Sequence, residues 1–326
     1  MNRGRRRLLD AAAAATCTIG WPALTAQAVL RSEPTASIIA AGKRFASLQE
    51  ACDAASRVVL SSGRLEGLAA CVATRRPVHV RGHGTALRSP GIQDKGIIIV
   101  NADLVLEDVD VSGARSSARN GAGVRVQGGR VTLHDMELHD NENGLLGPGR
   151  GGVVTLEVER CAVHDNGDGS GYSHGLYVGF AASFVCRDSR FWSTRVGHHV
   201  KSRAAVTAIL RCELGTGFDG NESYNVDAPQ GGEVALRDCL LRQGRQTSNP
   251  TMVHYGGEPA PHPGGSFAVE RCRFESHAGG TAIRNALPDV VAAIRDCDFE
   301  GVDVAVEGRH ELHGCRLNGK LLPDRV

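Results

Sequence analysis

The chain has 326 residues, enough for one large core or two domains. Its formal net charge of +1 gives neither nucleic acid nor a membrane surface a bulk electrostatic hold. Aromatic residues make up only 4%, while glycine occurs 41 times through Val- and Leu-rich sequence, which points to many short strands and tight turns rather than long helices.

Residues 1–28 read as an export signal. Arg3 to Arg7 precede Leu8-Leu9 and an Ala-rich apolar run, and Arg5-Arg6-Arg7-Leu8-Leu9 resembles a twin-arginine signal. Ala26-Gln27-Ala28 is a small-x-small cleavage site, so the mature chain is expected to begin at Val29 and to be periplasmic or secreted. The apolar run is too short for a membrane span, and no membrane insertion is expected once it is removed. Cys17 follows Ala15-Thr16, a poor fit to a lipoprotein cleavage box. The organisation expected is a single domain over residues 29–320, with 321–326 as a C-terminal tail.

Ser37-Ile38-Ile39-Ala40 reads as a first strand. In residues 45–55, Phe45, Leu48, Ala51, Cys52 and Ala55 fall at helical spacing, so a short amphipathic helix follows. Residues 58–60, 78–80, 97–100 and 104–111 read as strands. From about residue 100 one phrase recurs: apolar, two polar residues, a small or sulfur residue, polar, apolar. Leu106-Glu107-Asp108-Val109-Asp110-Val111 and Leu236-Arg237-Asp238-Cys239-Leu240-Leu241 are two copies. Its anchors stand at 109, 136, 161, 189, 212, 239, 272, 297 and 315. A variable period near 25 with strand chemistry describes stacked β coils, with the length changes in the loops.

On this repeat and the helix before it, residues 37–320 resemble the right-handed parallel β-helix, or pectate-lyase-like, superfamily. The resemblance implies an all-β solenoid, closed at its N-terminal end by a capping helix. A β-propeller needs blades of about 40–45 residues, well above this period. Ten cysteines occur, and Cys212, Cys239, Cys272, Cys297 and Cys315 share the anchor column. Without CxxC or Cys/His ligand spacing they read as a ladder of packed thiols. Cys52 and Cys71, in the cap, are the better placed for a disulfide. Residues 165–170 look like an oxygen-rich calcium loop but lack EF-hand spacing and read equally well as a turn.

The second strand of each coil aligns on Leu176, Val200, Val226, Val253, Ile283 and Val306. Side chains alternate along a strand. The residues after these anchors then face outward: Tyr177, Lys201, Asp227, His254, Arg284 and Glu307. The residues before them include His199 and Asn225, and Arg203 extends the patch along its strand. Tyr224, Tyr255, Asn249 and Glu258 border it, with loops 165–173 and 257–265 near enough to cover it.

Such a patch suits an acidic, uronate-containing polysaccharide. Lyases and C5-epimerases of uronates remove the proton next to a carboxylate, which needs a cation, a base and an acid. Lys201 or Arg203 supplies the cation, His199 or His254 the base, and Tyr177 the acid. Asn225, Asp227, Tyr224, Tyr255, Glu258 and Arg284 are expected to bind substrate. Calcium is a possible substitute for a cationic side chain, with Asp227 the one evident ligand, and a metal-free version is preferred. A glycoside hydrolase using Asp227 and Glu258 is the alternative. Against it, the β-helix hydrolases of pectin carry paired aspartates near Gly-His-Gly, whereas Ser173-His174-Gly175 and Gly197-His198-His199 have none beside them. A polysaccharide-binding solenoid without catalysis is the third reading. A monomer with no nucleic-acid partner is expected.

Overall fold

The computed structural model describes residues 34–150, 153–259, 262 and 264–324, so the expected export signal lies outside the described residues. Within them the chain winds as a parallel β-helix, each coil contributing strands to three faces. The strand before each repeat anchor forms one ladder and the strand after it a second. The third face is a ten-stranded parallel sheet running from Val72–Ala73 to Val304–Glu307.

The anchors stack in one column. The residues just after them pair in register through Asp110, Glu137, Ala162, Arg190, Glu213, Leu240, Arg273, Asp298 and Arg316. The residue just before each anchor is left-handed in every copy. These are Asp108, Asp135, Arg160, Asp188, Arg211, Asp238, Arg271 and Asp296, with φ between 50° and 56°, and Gly314 at 65°. This single left-handed residue turns the corner between the first two faces. It explains why the phrase carries two polar residues there: Asp tolerates that conformation, and its partners cover it. Where Arg occupies the corner, its guanidinium grips the Asp of the preceding coil, as in Arg160–Asp135, Arg211–Asp188 and Arg271–Asp238.

Burial follows the period of two. Val154–Glu159 alternates buried with partly or fully exposed side chains, as does Ser183–Arg187. Inside, Phe184, Phe191, Phe267, Phe274 and Phe299 are almost fully buried, and Phe274 stacks on Phe299 at 4.9 Å. Cys161, Cys212, Cys239, Cys272, Cys297 and Cys315 are buried free thiols in the anchor column. Cys52 and Cys71, the better placed pair for a disulfide, are also free and buried, and Cys71 Sγ lies 3.1 Å from Ser89 Oγ.

The capping helix is Leu48–Ala54, shorter than the spacing predicted, with Ser47 accepting a hydrogen bond from the Glu50 amide. Its Leu48, Ala51 and Cys52 close the N-terminal end of the core. At the other end the expected tail is partly structured: Lys320–Leu321 pairs antiparallel with Arg316–Leu317. Among the described residues no helix is long and apolar enough to cross a membrane.

Candidate functional site

The third face has the register that the sequence predicts. Leu176, Val200, Val226, Val253, Ile283 and Val306 pair across successive strands, and Tyr177, Lys201, Asp227, His254, Arg284 and Glu307 pair beside them. Side chains one coil apart are ~4.8 Å from one another, so residues with no sequence proximity meet.

The centre is the Asp227 carboxylate, buried although it lies on the outer side of the sheet. His254 Nδ1 donates to its Oδ1 at 2.9 Å, and Lys201 Nζ lies 3.2 Å from its Oδ2. His198 Nε2 approaches the same oxygen at 3.6 Å. Burial alone would raise this carboxyl. The His254 hydrogen bond and the charges around it outweigh burial and hold it below the usual range, so Asp227 is an anion.

His198 is the residue the sequence reading passed over. Its Nδ1 accepts from the Tyr224 amide at 3.3 Å, and His174 Nδ1 accepts from the His198 amide at 3.1 Å. Both imidazoles are thereby fixed with the proton on Nε2. Their rings stack at 4.5 Å, Tyr224 lies 4.9 Å from His198, and Tyr224 stacks on His254 at 5.1 Å. Burial pushes His198 down to about 4 and His174 well below its ordinary value, so both are neutral at pH 7. His254 differs: its Nδ1 is committed to Asp227, and no hydrogen bond to its Nε2 is made among the described residues.

His199 and Asn225 are not on this surface. His199 and Asn225 stand at bends just before their strands, where straight-strand alternation does not apply. His199, Asn225, Met252 and Ala282 are all fully buried. His199 Nδ1 lies 2.8 Å from Thr194 Oγ1 and its Nε2 is 3.7 Å from Glu222 Oε1. Asn225 Nδ2 closes the turns by donating to the carbonyls of Leu214 and Arg242. A signal for this was present: the same column reads Met252, Ala282 and Ala305 in later coils, apolar residues that belong inside. Tyr255 is likewise a core residue, stacked on Phe267 at 4.6 Å with its hydroxyl donating to the Gly232 carbonyl. Arg284 is on the outer column but bonded to Glu307 at 2.7 Å. Asn249 serves the turn, its carbonyl accepting from Gln243 and its Nδ2 donating to Ser223.

Glu258 reaches the site from a loop. Gly256 and Gly257 are left-handed at φ 88° and 94°, and a Cβ at 257 would stand 2.9 Å from His254 Cε1. The turn they make carries Glu258 back over two coils, where its carboxylate binds Arg203 Nε at 3.0 Å and Nη2 at 2.5 Å. Lys201 Nζ is 3.6 Å from the same Glu258, so its ammonium sits between two carboxylates. Arg203 and Lys201 lie 5.1 and 5.9 Å from the Tyr177 ring centre. Arg203 Nη1 is buried and makes no hydrogen bond among the described residues.

In loop 165–173, Asp168 binds Arg119 at 2.8 Å and Ser170. Asp165 binds His164. Among the described residues no group of three or more His, Cys, Asp or Glu is arranged to hold a metal.

No family model matches the sequence, and no curated protein matches it. Among solved structures, the ORF18 protein of Geobacillus virus E2 is similar over 85% of this chain, with a TM-score of 0.60 at 14% identity. The chain spans 56% of that protein's length. Pectate lyase Pel9A superposes over 82% of this chain and 72% of its own, with a TM-score of 0.49 at 12% identity. The parallel β-helix fold that the repeat implied is shown by the coil-to-coil strand pairing of this chain itself, and these likenesses carry nothing beyond the fold.

Proposed function

We propose that the outer side of the third face acts on an acidic, uronate-containing polysaccharide by removing the proton next to a sugar carboxylate, as a lyase or C5-epimerase. The observation that carries this reading is the Asp227–His254 hydrogen bond beside Lys201. An ionised Asp227 orients the imidazole and holds its proton on Nδ1, which leaves the Nε2 lone pair as the base. His198 cannot take that role, since its Nδ1 is occupied by a backbone amide and its Nε2–H faces Asp227.

The cations hold the substrate. Removing the proton places charge on the carboxylate, and a fixed positive group beside it lowers the barrier. Arg203 is held by Glu258 with its Nη1 buried, and Lys201 shares its charge between Asp227 and Glu258. Displacement of Glu258 by the incoming carboxylate would free both, and the Gly256-Gly257 turn is the segment able to let it move. Tyr177, one strand from Lys201, is the acid for a leaving oxygen or for the opposite face of the sugar. The hydrolase alternative needs one carboxyl protonated as general acid. Asp227 is held ionised and Glu258 is gripped by Arg203, which disfavours it.

The test is incubation of the mature chain with polygalacturonate, alginate and glycosaminoglycans, with calcium or with a chelator, read by ultraviolet absorbance and NMR. Unsaturated ends identify a lyase, changed C5 configuration an epimerase, and reducing ends alone a hydrolase. His254→Ala and Lys201→Ala should each lower turnover by a hundredfold or more, within the usual range for a lost base or charge clamp. Full activity in both variants would move the chemistry elsewhere. Salt-sensitive binding without any product would make the solenoid a binding module.

A further inference from the structure

The outer column of the third face does not begin at Tyr177. Asn143–Leu146 precedes it in the sheet with Leu146 beside Tyr177, and Ala122–Val126 precedes that with Arg125 beside Leu146. Arg125 therefore occupies the same column as Lys201, three coils earlier, or ~14–15 Å along the solenoid.

The condition of Arg125 sets it apart from most arginines of the outer faces. Arg88, Arg160, Arg211, Arg242, Arg271 and Arg284 each bind a carboxylate. Arg125 has no carboxylate partner among the described residues, and its Nη1 is buried without any hydrogen bond. Burial draws its pKa down, as expected for a desolvated cation. A half-buried guanidinium with one nitrogen shielded from water and unbonded carries a desolvation cost, and a bound anion would offset it.

Arg125 borders a cleft of about 430 Å³, whose walls include Asn120, Tyr172, Tyr177 and Phe180. Tyr172 is 87% exposed at its rim. Arg150, also without a carboxylate partner among the described residues, lies 4.2 Å from the Phe180 ring centre. Tyr177 belongs to this cleft and also touches the Lys201 and Arg203 cluster, so the two sites share a wall.

We propose that this cleft is a subsite for an acidic saccharide, in which Arg125 pairs with a carboxylate of the bound chain and Tyr172 stacks on a sugar ring. One oligosaccharide would then run along the solenoid from Arg125, across Tyr177, to Lys201 and His254. A guanidinium fork matches a carboxylate bidentately, and aromatic faces match the apolar side of a sugar ring. This rests on the acidic-saccharide reading above, and it adds that the chain is held by charge at a second point, away from the reacting bond.

The experiment is calorimetric titration of the mature chain with hexamers of galacturonate, mannuronate and guluronate, and with the same hexamers after carboxyl reduction. The wild type should bind at least one acidic hexamer and prefer it to its reduced form. Arg125→Gln should weaken that hexamer about tenfold or more and leave the reduced form unaffected, as expected for a lost charge-assisted pair. Tyr172→Ala, an exposed change with little reason to disturb folding, should also weaken it, and circular dichroism would check both variants. If both bind the hexamer as the wild type does, or if the reduced hexamer binds equally well, the subsite is overturned. The central reading is tested separately by Lys201→Ala: loss there alone keeps the centre and discards the subsite. Binding that depends on Arg125 with no hexamer altered keeps the subsite and discards the chemistry. Failure of every acidic hexamer to bind discards both.

Discussion

Asp227 and Glu222 are both buried carboxylates, and both are held ionised for different ends. Asp227 answers to three donors on the outer face, one of them the imidazole proposed above as the base. Glu222 lies inside a turn, where it accepts from the Thr216 amide at 3.0 Å and the Thr216 hydroxyl at 2.8 Å, with His199 at ion-pair distance. Burial alone would raise the Glu222 carboxyl, but His199 and then Thr216 bring it from its ordinary 4.5 down to about 2. A depressed carboxyl stabilises the fold above its ordinary value and loses that contribution as pH falls through the folded value. The contribution is on the order of 3 kcal/mol. Glu222→Gln should therefore melt below the wild type at pH 7, with the gap closing as pH falls from about 5 towards 2. Melting curves followed by circular dichroism check this; a gap that stays constant with pH would assign the loss to packing instead.

At the scale of the element, the left-handed corner before each anchor is the feature that repeats most strictly. Asp296 holds it at φ 53° in an exposed position. Asp reaches that conformation with local help, glycine reaches it freely, and a β-branched residue does not. Asp296→Val should cost about 1–2 kcal/mol, while Asp296→Gly should change stability by only a few tenths. Urea denaturation of the two variants separates corner geometry from side-chain loss; equal costs would mean that the carboxylate, not the backbone, matters there.

Across the whole molecule, coils contact chiefly their neighbours, so the core is one continuous column rather than a centre. The anchor cysteines are part of that column. Burial pushes the Cys161 thiol up to about 12, and its Sγ lies within sulfur hydrogen-bond range of the Leu133 and Glu159 carbonyls. A protonated thiol shielded from solvent does not react. Alkylation of the native chain at pH 7–8 should leave Cys161 and Cys239 unmodified, and both should label once the chain is unfolded in denaturant. Mass spectrometry of the labelled peptides checks this; prompt labelling of the native chain would mean that the column opens locally.

The sequence by itself determined the coil. Its aliphatic column from Leu176 to Val306 aligns the third face because inward positions repeat the same chemistry, and the anchors from 109 to 315 follow the corner that each coil must turn. Lys201, Asp227 and His254 were legible for that reason: each is one residue after an inward aliphatic. Their partners were not. Which of two adjacent histidines faces outward was decided at a backbone corner, where the alternation of a straight strand fails and two successive side chains turn inward. Whether Lys201 and Arg203 are free was decided by Glu258, 55 residues from Arg203 along the chain, through a glycine turn whose path no local period encodes. Periodicity fixes what a residue's own strand does with its side chain. Pairing across coils and over loops depends on which distant groups the stacking brings within a few ångströms, and that only the tertiary structure decides.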